Sequence, residues 1–274
     1  MADTKKVLIV TQEMNPYVAL TEIAKIAREL PKYIQDKGME IRILMPKFGI
    51  INERRHRLHE VVRLSGINII IAEDDYPLII KVASLPGARM QVYFLDNDDF
   101  FNRKAVFSDN QNRFFQDNTE RMIFFCKGVI ETVKKFGWSP DIVHCHGWMT
   151  SLIPLYLRTA YKNEPVFQNA KIVYSLYGSS FDQPISKDFL KKAPLIQKHI
   201  EKDALKFFKN GNNEGLDLGA LEYSDAIVIG SKEVNGDVKK QLNKTSKPVV
   251  EYNADRDDYL EAYRRLYEDL SPLN

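Results

Sequence analysis

The chain has 274 residues, 39 of them Lys or Arg and 37 Asp or Glu, and a formal net charge of +2. That length suffices for one large domain with a sizeable core. A balanced charge, with acids interspersed among the bases, excludes the electrostatic case for nucleic acid or an anionic membrane as partner.

Met-Ala-Asp-Thr-Lys-Lys leads straight into the β-branched run Val7 to Val10, with no signal-type segment before it. Short runs of this kind fit a strand buried on both faces. Ile23, Ile26, Ala27, Leu30 and Ile34 recur at helical spacing, and Gly38 follows as a stop. Ile41 to Met45 is a second buried strand closed by Pro46, so the first forty-odd residues form a βαβ unit. Over 60–95 the runs Val61 to Leu64, Ile67 to Ile71, Leu78 to Val82 and Gln91 to Leu95 predict strands separated by turns, leading to a sheet strand that ends at Asp96. A long helix is predicted over 112–136, from Phe115, Met122, Phe125, Val129 and Val133, with Gly137 and Pro140 ending it.

Alternation then resumes. Strand 141–145, helix 148–160, strand 171–176, helices within 187–223, strand 225–230, helix 231–242 and a short strand at 248–251 follow in order. Cys126 and Cys145 lie within apolar runs and read as buried free thiols. No apolar run approaches the ~20 residues a membrane helix needs, so a cytoplasmic protein is expected. Leu260, Tyr263, Leu266 and Tyr267 predict a last amphipathic helix, with Asp and Arg residues opposite the stripe. The pattern predicts an α/β fold: one doubly wound, mostly parallel sheet over residues 1–250, with the segment 251–274 docked on the same domain.

Ligands of such a sheet bind beyond the carboxyl ends of its strands. That edge carries Thr11 to Pro16, Asp96 to Asn102, His144 to Trp148, Tyr174 to Phe181, and Gly230-Ser231. His144 and His146 are two apart and point the same way from a strand. The other histidines are scattered and no Cys or carboxylate cluster accompanies the pair, so neither a metal nor a cofactor is expected.

The edge segments also carry a resemblance. His144-Cys145-His146-Gly147-Trp148, with Ser151 to Leu157 after it and Trp138 to Val143 before it, resembles the His-x-His-Asp-Trp region of the glycogen/starch synthase family. Tyr93 to Asn97 with Phe101 to Arg103, Glu13-x-x-Pro16, Leu30-Pro31, Met45-Pro46, and Ser224 to Val228 with Ser231 and Glu233 fall where that family has similar segments. The similarity runs from about residue 5 to 240. It implies the Rossmann-like N-terminal domain of a two-domain GT-B glycosyltransferase, one that transfers glucose with retention from a nucleotide-sugar to an α-1,4-glucan.

Against that family the chain departs at the site. Where the family has Lys-Thr-Gly-Gly-Leu, a loop that approaches a diphosphate through its lysine and backbone N–H groups, this chain has Ala19-Leu20-Thr21-Glu22-Ile23. Glu22 brings a carboxylate to the start of the helix, favourable for the helix by roughly 0.3–1 kcal/mol but unfavourable for a diphosphate. The Asp of His-x-His-Asp-Trp is Gly147, and the family's Thr-Ile-His-Asn strand end becomes Tyr174 to Gly178. The residues after 245 are too few for the second domain, which holds most of the nucleotide in the family.

The resemblance thus implies His146 as a catalytic position. It implies Glu13, Asp96, Asn97, His144, Trp148 and Tyr177 as substrate-facing positions. The expected function is a glucan- or protein-binding regulatory module without glucosyltransferase activity alone. The alternatives are half of a split synthase, and a small-molecule enzyme repurposing His146 and Asp96.

Overall fold

A computed structural model describes every residue except 1–3, 179, 180, 182, 183, 187, 194–199 and 272–274. The N-terminal βαβ unit is β1 (Lys6–Thr11), α1 (Ile23–Asp36) and β2 (Glu40–Pro46). α1 is amphipathic and buries Ile23, Ile26, Ala27, Leu30 and Ile34. The chain leaves it at Gly38, whose φ of +90° a side chain disfavours. After α2 (Glu53–His56) come β3 (His59–Glu60), β4 (Ile67–Ile71), β5 (Asp74–Ser84) and β6 (Gln91–Asp96). The predicted strand at Val61 to Leu64 is instead a turn. Leu64 and Ser65 return hydrogen bonds to the Val61 carbonyl, and only Leu64 of the run is fully buried.

α3 (Asp98–Phe101) and α4 (Asn118–Phe136) follow. The helix predicted over 112–136 begins later, because residues 112–117 complete a loop closed by an antiparallel bridge between Ser108 and Phe114. The rest alternates: β7 (Ile142–His146), α5 (Leu152–Arg158), β8 (Lys171–Leu176), α6 (Phe189–Lys192), α7 (Asn213–Tyr223), β9 (Ala226–Ile229), α8 (Gly236–Leu242), β10 (Val249–Val250) and α9 (Arg256–Leu270). Residues 148–150 form a 3-10 turn before α5, and α8 starts after an Asn235 cap, later than the predicted 231. Parts of the segments predicted at 174–181 and 187–223 lie outside the described residues.

The sheet order is β10-β9-β8-β7-β1-β2-β6-β5-β3, with β4 paired to β5 off this path. Pairs from β10 to β6 are parallel, and β5 turns the sheet antiparallel. Chain order reverses at β1, which lies between β2 and β7. In register, Thr11 faces His146 and His146 faces Ser175, so three polar side chains form a row at the carboxyl edge. Doubly wound sheets hold ligands at such a reversal.

Candidate functional site

The loop after β1 folds onto its own carboxylate. Glu13 is fully buried. Its Oε2 accepts the Leu20 and Thr21 backbone N–H groups at 2.6 and 2.9 Å, and its Oε1 accepts the Thr21 hydroxyl at 2.7 Å. A carboxylate on two amides and a hydroxyl is a strong, charge-assisted arrangement. These N–H groups lead into α1, where an anion is also favoured by the helix dipole. Glu22 sits at the cap position of α1 but its side chain makes no cap hydrogen bond and faces solvent. Glu22 thus stands at the start of α1 without capping it, while Glu13 holds the two amides just before the helix. Ala19 and Leu20 are exposed around it, and Ile23 is buried at the start of the helix.

Under the same edge lie the two histidines of β7, both fully buried. Their rings stack at 4.0 Å. His144 is satisfied on both nitrogens, by the Tyr267 hydroxyl and by Ser175 Oγ at 2.8 Å. His146 shares a 2.8 Å hydrogen bond between Nδ1 and the Tyr177 hydroxyl, while its buried Nε2 has no partner. Burial pushes the His146 imidazole down to about 3 and the His144 imidazole well below its usual range. Both rings are therefore neutral near pH 7.

Gly147 and Tyr177 close the edge over them. Gly147 has φ +85°, and a Cβ there would lie 2.4 Å from Gln12 Oε1. Gln12 fills that space and accepts the Met149 N–H at 3.2 Å. On the other side, the Tyr177 ring lies where a Cβ on Gly230 would be, at 2.4 Å. Gly147→Asp should destabilise the protein by roughly 2–4 kcal/mol, from backbone strain plus displacement of Gln12. Adding Gln12→Ala should recover only the part due to the clash. Denaturant unfolding of the single and double variants checks this, and a neutral single variant would refute the packing account.

The remaining predicted positions are structural partners of their neighbours. Trp148 is buried among Phe107, Phe114 and Phe181, with centroids at 4.8, 5.8 and 5.1 Å. Asp96 is ion-paired with Lys81 at 2.8 Å and lies 3.8 Å from Lys47, and both lysines also hold Glu53. Asn97 caps α3 by accepting the Asp99 and Phe100 N–H groups. Between Gly147, Ser175, Tyr177 and Asp217 remains a cavity of about 10 Å³, the size of one water. Asp217 is bonded to the Tyr174 hydroxyl and Asn213, and burial pushes its carboxyl up to about 7. Among the described residues, no group of three or more His, Cys, Asp or Glu could hold a metal ion.

Two contributors escaped the sequence reading. Arg121, fully buried, donates to the Phe100 and Val106 carbonyls at 2.8 and 2.6 Å and so pins the loop that brings Phe107 and Phe114 to Trp148. Gln12, one residue before Glu13, has no motif to announce it; a glycine facing it at 147 was the available signal.

The family described as "Starch synthase catalytic domain" matches residues 6–246. The chain belongs to that family. A glycogen synthase of Chlorobium phaeobacteroides is 36% identical over 230 residues, which are 83% of this chain and 46% of the relative. A glycogen synthase of Pelodictyon phaeoclathratiforme is 41% identical over 229 residues, again 83% of this chain and 46% of the relative. The chain thus spans about half the length of these curated relatives. The solved catalytic domain of Starch Synthase IV from Arabidopsis thaliana, bound to ADP and acarbose, superposes with a TM-score of 0.74 at 18% identity. It covers 91% of this chain, which covers 51% of it, and the likeness establishes the shared fold. Within this starch synthase domain, the edge where the doubly wound sheet reverses is filled by the protein's own side chains, Glu13, Gln12, Tyr177 and Trp148.

Proposed function

We propose that this glycogen/starch synthase-like domain has no glucosyltransferase activity on its own and serves as a glucan- or protein-binding regulatory module. The observation that carries the reading is the loop from Ala19 to Ile23, which has Ala19 and Glu22 where the family has a lysine and a glycine, with Glu22 exposed at the start of α1. A diphosphate brought to this loop would meet a negative charge and no lysine to answer its own. Tyr177 and Gln12 support the same reading. Tyr177 is bonded to the buried His146, and Gln12 fills the space at Gly147 next to it. A split synthase would need that lysine and those glycines for the donor, so their loss favours the binding module.

Titration calorimetry with ADP-glucose and UDP-glucose is expected to give no heat of binding at millimolar nucleotide-sugar, and labelled glucose should not enter glycogen. Micromolar affinity for either donor, or incorporation by this chain alone, would overturn the reading. Co-sedimentation with glycogen then separates a glucan ligand from a protein one.

A further inference from the structure

We propose that α9 is an acid-released strap, whose docking over His144 requires that ring to be neutral. The inference rests on what lies under the helix. Tyr263 and Tyr267 of α9 stand 5.5 and 5.7 Å from the His144 ring, and the Tyr267 hydroxyl bonds His144 Nδ1. Among the described residues, the side chains hydrogen-bonded to the two rings are neutral hydroxyls: Tyr267 from α9, Ser175 from β8 and Tyr177 just after β8. A proton added to either ring would sit 4.0 Å from the other imidazole, with no carboxylate among those partners. His146 Nε2, buried without a partner, would carry an N–H that nothing accepts. Glu13 and Glu22 act on Tyr177, and Arg256 acts on Tyr263 while pairing with Glu29 of α1 at 2.6 Å. Lys5 of the β1 approach donates to the Tyr267 carbonyl at 2.9 Å, and Tyr33 of α1 to Glu261 at 2.7 Å.

The helix is built to leave as a unit. It contributes no strand to the sheet, and exposed residues 251–255 tether it to β10. Undocked, His144 meets water and regains a midpoint of about 6.5, so the undocked state binds the extra proton. Docking therefore weakens as pH falls below about 6.5, and continues to weaken until the docked ring itself titrates. At pH 5 His144 shifts the equilibrium toward release about 30-fold. Glu261, which also fastens α9, is held down by Arg264 and so takes up its proton only at lower pH.

Hydrogen exchange of the full chain, corrected for intrinsic rates, tests this at pH 7.5 and 5. Amides of 256–270 should lose at least 30-fold protection at pH 5 relative to those of β1 and β2, and His144→Gln with His146→Gln should abolish the difference. Equal loss in the wild type and the double variant, or loss spread evenly over the sheet, would overturn the proposal. Should the double variant fail to fold, NMR titration of the wild-type imidazoles decides. Protonation of His144 while α9 stays protected would refute the strap, and protonation coincident with loss of that protection would support it.

Discussion

Deleting residues 255–274 is expected to lower the thermal midpoint at pH 7.5 by roughly 10 °C and to leave a protein prone to aggregate. Tyr259, Leu260, Tyr263, Leu266 and Tyr267 all bury against the domain. Burying side chains of this size contributes roughly 1.5–3 kcal/mol each, most of which is offset by ordering the helix, so a net loss of about 3–5 kcal/mol is expected. The deletion also removes the Tyr267 hydroxyl from His144 and the Tyr259 donor from the Ile229 carbonyl. Calorimetry with sedimentation reads both effects. An unchanged midpoint would mean that the stripe contributes no stability, and a well-folded monomer of the short form would mean that the uncovered face needs no cover.

Arg121→Met should cost roughly 2–4 kcal/mol, because hydrogen bonds from a charged donor contribute about 1.5–3 kcal/mol each and the carbonyls left behind stay buried. The guanidinium lies over the rings of Phe48, Phe101 and Phe115, at 5.5, 5.4 and 5.6 Å, and desolvation pulls it down to about 10. Methionine keeps much of the volume, so the loss reports the polar contacts rather than a cavity. Hydrogen exchange should place the damage in residues 97–117 and around Trp148. Damage spread uniformly over the sheet would show that the arginine does not act through that loop.

The parallel strands were legible because strands buried on both faces leave continuous β-branched runs, and α1 because its stripe has one period. Val61 to Leu64 misled because a turn can carry three aliphatic residues when only Leu64 is fully buried and Val62 is exposed. Arg121 was invisible because a lone basic residue in a helix reads as surface until the carbonyls it serves are known. At the edge, the motif positions were legible but their partners were not. That Glu13 turns to its own loop, and that Tyr267 reaches a histidine 123 residues away, depends on contacts no local pattern encodes.

The Gln12–Gly147 contact also bears on how this edge could change again. An aspartate at 147 meets both an occupied space and a left-handed backbone. Moving or shrinking the flexible Gln12 side chain would relieve only the first, and it would leave the Met149 amide unanswered. A return to the family's acid would therefore carry the strain of that backbone whatever side chain stands at 12.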